Sequence, residues 1–176
     1  AFAAGLIDGI VATPAVIAAQ LPSADPRELV QELSAAVPLP VIASVRAVDR
    51  DALYKGAREL TRLGEQVIVA VPLVEDALPA IKRLSAEGVR VAATLVHNAA
   101  QAVLAAKAGA SMVTIAVDAA AHVGEDPSLA ITESRIIFDR FGLECDVIAA
   151  GPASARAFTD AATAGADGAV VSAEVL

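Results

Sequence analysis

The chain has 176 residues, enough for one domain but short of the about 250 that a complete eight-fold βα barrel takes. Apolar residues make up 56% of it, yet no apolar stretch, Val67 to Val74 included, approaches the roughly 18 residues of a membrane-spanning helix. A net charge of −8 and an aromatic content of 3% offer nucleic acid neither a basic field nor a stacking platform, so neither membrane nor nucleic acid is expected as a partner.

The apolar excess is mostly Ala, Val, Ile and Leu, which suits a parallel sheet covered on both faces by helices. The first apolar run, Leu6 to Ala12, is followed by a well-signalled helix start. Asp25 stands as cap, Pro26 takes the first helical position, Glu28 follows three residues after the cap, and Leu29 and Leu33 share a face. The runs Val41 to Val45 and Val67 to Val71 come next. Ala77, Ile81 and Leu84 then keep helical spacing before Gly88, which feeds Val89 to Val96. Val103 and Leu104 precede Gly109, which feeds Met112 to Val117. Val147 to Ala150 and Ala169 to Val171 complete the series. One join occurs twice in nearly the same form, Ala106-Lys107-Ala108-Gly109-Ala110 and Ala162-Thr163-Ala164-Gly165-Ala166, as repeated βα units require.

About seven strands are readable, one fewer than a closed eight-stranded barrel needs. No linker or charge block divides the chain, so residues 1–176 are expected to form a single domain. The lone Cys145 permits no internal disulfide, and the start at Ala1 lacks the features of a signal peptide, so a cytoplasmic protein is expected.

Several segments carry a resemblance. Gly5-Leu6-Ile7-Asp8-Gly9-Ile10-Val11-Ala12-Thr13-Pro14-Ala15-Val16-Ile17-Ala18 resembles G-L-I-D-G-V-T-T-N-P-S-I-I-A of the small transaldolases, and Val67-Ile68-Val69-Ala70-Val71-Pro72 resembles their V-I-K-I-P strand. The residues from Ala80 to Val89 are similar to A-I-K-x-L-x-x-E-G-I. Those from Thr94 to Ala110 are similar to T-L-V-F-S-x-x-Q-A-L-L-A-A-K-A-G-A, which is the most specific block. Val147 to Ala150, Ala164 to Asp167 and Ala173 to Leu176 resemble I-L-A-A, A-G-A-D and P-x-V-L. The chain thus resembles the transaldolase and fructose-6-phosphate aldolase family over nearly its whole length. The resemblance implies an α/β fold, a parallel (β/α)8 TIM barrel whose first strand would lie before Ala1 and whose last helices would lie beyond Leu176.

It also implies where chemistry should sit, and there the sequence departs from the family. The Schiff-base lysine of the V-I-K-I-P strand aligns with Ala70, and only an amine forms the iminium that drives aldol cleavage. Lys55, Lys82 and Lys107 fall in helical segments away from strand ends. The T-T-N triplet reads Val11-Ala12-Thr13 and the glutamine of the next strand reads Ser44. The water-positioning tyrosine aligns with Ala116 and the arginine after it with Ala119. The phosphate-holding A-S-x-R or A-S-x-K segment reads Ala150-Gly151-Pro152-Ala153, without hydroxyl or cation.

The candidate catalytic residues that remain at strand ends are Thr94, His97 and Asp118. Thr94 matches a family threonine of the water network, with a β-branched strand residue as the equally open reading. His97 stands where the family has an aromatic; a loop or cap histidine is the leading reading, and acid–base work near neutral pH is the other. Asp118 and His122 follow the next strand and with His97 could form an Asp/His constellation; their spacing is not specific to a metal, and no metal or cofactor is expected. Thr13, Ser44, Ala70, Ala116, Gly151, Ser154 and Ser172 are the candidate substrate-binding positions, Ser154 also reading as a helix cap.

The expected function is a transaldolase-like barrel that has lost Schiff-base activity and serves a binding, scaffold or regulatory role. The alternatives are an enzyme of different mechanism built on His97, Asp118 and Thr94, and an active sugar-phosphate aldolase or transaldolase. A small carbonyl or sugar-like ligand is the expected small-molecule partner, and the resemblance implies a homo-oligomer or an assembly with a related subunit.

Overall fold

A computed structural model describes residues 5–117, 119, 124, 126–172 and 175. The described elements alternate as the runs require: β1 (Ile10–Ala12), α1 (Pro14–Gln20), α2 (Pro26–Ala36), β2 (Val41–Ser44), α3 (Arg50–Leu60), β3 (Val67–Pro72), α4 (Ala77–Ala86), β4 (Val91–Val96), α5 (Ala99–Ala108), β5 (Met112–Ala116), α6 (Pro127–Phe141), β6 (Asp146–Ala150), α7 (Ala155–Thr163) and β7 (Gly168–Val170).

Local chemistry sets the boundaries. Pro14, Pro26 and Pro127 stand in the first turns of α1, α2 and α6, where a missing N–H costs nothing. Asp25, Asp49, Asn98, Asp126 and Ser154 cap their helices through side-chain oxygens that accept backbone N–H groups. The duplicated join is also a duplicated conformation, for Gly109 and Gly165 both stand at φ +98°, a left-handed turn open to glycine.

Two strands start later than their apolar runs. The first begins at Ile10 rather than Leu6, after Gly5 at φ +64°, where the Ile10 N–H donates to Pro40 O at 2.9 Å and enters the sheet. The fourth begins at Val91 because Val89 still belongs to the end of α4, its N–H donating to Leu84 O at 3.0 Å. Hydrophobicity alone does not mark where a ladder starts.

The seven strands form one sheet in sequential order, every neighbouring pair parallel. Consecutive parallel strands with helices between them make the wall of a TIM-type barrel, here nearly closed, with β1 and β7 at the two ends of the strand order. Side-chain alternation divides the wall into two faces. Val41, Ala43, Val67, Val69, Val71, Val91, Ala93, Val113, Ile115, Val147 and Ala149 join the helices in one core with Leu53, Ile81, Leu84 and Phe138. Each of these four large side chains is fully buried and worth about 1.5–3 kcal/mol in apolar transfer. The alternate positions Ile68, Ala70 and Ala92, with Ile42 and Met112 against them, form a second, separate cluster inside the barrel.

Candidate functional site

The C-terminal ends of β1 to β7 define the face on which a barrel of this class carries its chemistry. Register places the lumen residues side by side. Ser44 pairs with Ala70, Ala70 with Ala92, and Ala92 with Met112, forming one layer. Above it Pro72 pairs with Thr94, and Ala116 with Ala150, which in turn pairs with Val170. The structure therefore brings Ser44, Ala70 and Thr94 together on three consecutive strands. Ala70 is 1% exposed and packed among aliphatic neighbours.

Thr94 is half-buried, and Thr114 below it is buried, its hydroxyl aimed at Ala93 O at 3.4 Å. Between Ala93 and Val96 the pairing with β5 shifts by one residue, a β-bulge. Both Ala93 and Val96 are buried in the outer core although they stand three positions apart where alternation requires an even number, and the extra residue is absorbed at Leu95. Leu95 stands at φ +61°, the one positive-φ non-glycine among the described residues, and remains 54% exposed. No sequence signal pointed to it, because a leucine in a β-rich run reads as ordinary strand.

His97 follows the bulge. Its backbone N–H donates to Gln101 Oε1 at 2.8 Å, while Asn98 Oδ1 accepts the Gln101 N–H at 3.1 Å, so Gln101 serves the start of α5 in both directions. The His97 side chain is half-buried, and its Nδ1 is enclosed with no hydrogen-bond partner among the described residues. Asp118 and His122 lie outside the described residues, so the proposed constellation with His97 has no described geometry.

Two candidate ligand hydroxyls also serve as helix caps. Thr13 Oγ1 accepts from the Val16 N–H at 3.4 Å at the start of α1, and Ser154 Oγ accepts from the Ala157 N–H at 3.1 Å at the start of α7. Gly151, at φ +74°, donates its N–H to Val170 O at 3.1 Å, which ties the end of β6 to β7. Ser172 is exposed beyond β7. The nearest following cation, Arg156, is paired with Asp160 at 2.9 Å. The chain's lysines all lie on helices and are exposed: Lys55 on α3, Lys82 on α4 and Lys107 on α5. Among the described residues no three His, Cys, Asp or Glu side chains are grouped as metal ligands, and no helix is long and apolar enough to cross a membrane.

The fold defines a parallel βα barrel of the TIM type, whose candidate site lies at the C-terminal strand ends. The chain matches the model of the family described as transaldolase/fructose-6-phosphate aldolase over residues 7–176. It is 38% identical to a probable transaldolase of Methanococcus maripaludis over 174 residues, covering 99% of this chain and 80% of that protein. Against a probable transaldolase of Desulfitobacterium hafniense it is 38% identical over 176 residues, 100% of this chain and 82% of the relative. A probable transaldolase of Leptospira biflexa is 36% identical over 163 residues, 93% of this chain and 75% of its own. The chain belongs to the transaldolase/fructose-6-phosphate aldolase family.

Proposed function

We propose that this protein is a transaldolase-family barrel without Schiff-base aldol chemistry, serving a binding, scaffold or regulatory role in place of catalysis. The observation that carries the reading is the lumen position of Ala70. The resemblance assigns the nucleophilic lysine to that position, and a methyl group stands there in an aliphatic cluster. The reaction needs an amine that attacks a ketose carbonyl, loses water to form an iminium and then draws electrons from the neighbouring carbon–carbon bond. An alanine has no lone pair to begin it, and the three lysines of the chain are on helix exteriors.

The surrounding replacements point the same way. Ala116, Ala150 and Val170 form a register row without a hydroxyl or a charge, and Ser154 and Thr13 are engaged as helix caps. A small carbonyl or sugar-like ligand bound here would find Thr94 and Ser44 as its polar contacts, too few to hold a phosphate strongly. Assembly as a homo-oligomer or with a related subunit, and a cytoplasmic setting, belong to the same proposal.

The test is borohydride reduction in the presence of fructose 6-phosphate, dihydroxyacetone and erythrose 4-phosphate, followed by peptide mass spectrometry. A reduced Schiff base is a permanent secondary amine, so a working aldolase is labelled at lysine. No adduct is expected. A saturable adduct at Lys55, Lys82 or Lys107 would overturn the reading in favour of an active aldolase or transaldolase, which the names of the relatives favour. A second reading, an enzyme of different mechanism, draws on the enclosed and unpartnered Nδ1 of His97 beside Thr94. A turnover abolished by His97→Asn, with labelling of lysine still absent, would establish it.

A further inference from the structure

A second concavity lies outside the barrel. It opens between α2 and α3 over the outer face of β1 and β2, has a volume of about 560 Å³, and of the lumen positions described above includes Ser44 alone. That volume is within the range of small-molecule sites. Its floor is apolar and made by the outward-facing Ala43 and Val45. Gly56 sits so close to Val45 that a Cβ there would come within 2.8 Å of the valine Cγ1, which fixes α3 tightly against β2 beside the opening.

The rim is charged, and its charges do not cancel. Arg27 and Glu59 form an ion pair across the opening, joining α2 to α3. Asp25, the other acid at the rim, is occupied as the cap of α2, accepting from the Arg27 and Glu28 N–H groups at 2.8 and 3.1 Å. Arg46 and Lys55 also line the opening, and neither side chain has a hydrogen bond or ion pair among the described residues. In a chain of net charge −8, a rim with three cations, Arg27, Arg46 and Lys55, against two carboxylates, Asp25 and Glu59, is a local reversal of sign.

We infer that this cavity binds an amphipathic monoanion, a medium-chain aliphatic carboxylate, with its hydrocarbon on Ala43 and Val45 and its carboxylate between Arg46 and Lys55. Burial of the methylene chain supplies affinity, and the two cations supply the selection for a charged head group.

The decisive experiment is calorimetric titration of the protein with octanoate at low salt, with octan-1-ol as the uncharged analogue of the same length. Saturable one-to-one binding of octanoate is expected, at least about tenfold tighter than octanol. The Arg46→Gln/Lys55→Gln double variant is expected to bring octanoate down to the level of octanol. Ala52→Phe, which fills the hollow from α3, is expected to remove both, with retained circular dichroism as the check that it folds. Absence of saturable octanoate binding, equal binding of octanol, or unchanged binding in the double variant would each overturn the inference. The double variant alters exposed charges alone and decides the matter should Ala52→Phe fail to fold.

Discussion

The two ends of the barrel use their polar side chains differently. At the N-terminal ends of β6 and β7, Asp167 accepts the Val147 N–H at 2.7 Å and pairs with Arg135 at 2.8 Å. Arg135 also pairs with Asp139 at 2.8 Å and reaches Cys145 O at 3.4 Å, so one guanidinium joins α6 to two strands. Burial works against the charge on Arg135, but the hydrogen bonds to Asp139 and Asp167 outweigh it and hold the pKa above its ordinary value. At the C-terminal ends the lumen row is Ala116, Ala150 and Val170, and the nearby hydroxyls of Thr13 and Ser154 cap helices. Among the described residues, the end of a barrel that ordinarily serves stability is the better connected of the two, and the end that ordinarily serves chemistry is sparse in polar groups.

The largest expected effect follows from that contrast. Asp167→Ala removes the partner of the buried Val147 N–H and leaves Arg135 with one carboxylate, a loss of about 2–3 kcal/mol in a urea unfolding experiment. Thr94→Ala and Ser44→Ala at the opposite end should each fall within about 0.5 kcal/mol of the parent. Equal costs at the two ends would break the comparison.

Cys145 sharpens it from the same N-terminal side. The thiol is 5% exposed, and burial, aided by the neighbouring Asp146 carboxylate, pushes its pKa up to about 12 from an ordinary 9.0. Below pH 9 the thiol is protonated in both the folded and unfolded states, so its contribution is constant. Between pH 9 and about 12 the unfolded chain loses this proton first, and stability falls as pH rises through that window. Cys145→Ala should make the decline shallower across that interval, as urea midpoints would register. An equally steep decline in the variant would assign the loss to other groups.

Much of this was legible beforehand, for reasons that differ by residue. Asp25 and Ser154 were readable as caps because capping depends on a short polar side chain beside a helix start. Gly109 and Gly165 were readable because their left-handed turns suit glycine. The lumen position of Ala70 followed from strand alternation once the family register was known. What stayed hidden depends on contacts distant in sequence: Arg135 and Asp167 are separated by 32 positions, and nothing local marks them as partners. Thr13, read as a ligand contact, is placed as a cap by the start of α1 at Pro14.

The caps supply a smaller test of the same contrast. Ser154→Ala should cost about 1 kcal/mol, and Thr13→Ala less, its hydrogen bond being 3.4 Å against 3.1 Å for Ser154. A ligand contact would show the reverse pattern, with thermal stability unchanged and binding altered.

The smallest effect concerns the bulge, and its sign is the informative part. Leu95 is held at φ +61°, where a leucine pays about 1–2 kcal/mol for the approach of Cβ to the following carbonyl. Being 54% exposed, it recovers little of that by burial. Leu95→Asn, which tolerates the left-handed region, should therefore raise stability by about 0.5–1 kcal/mol, measured as an upward shift of the urea midpoint at unchanged slope. Strain that persists at the mouth of a barrel is of interest because the surroundings must enforce it. Here the enforcing elements are Ala93 and Val96, both locked in the outer core and together requiring an odd residue between them. A loss of stability in Leu95→Asn would mean instead that the leucine side chain packs into the mouth, and the sparse end of the barrel would then owe part of its order to an apolar plug.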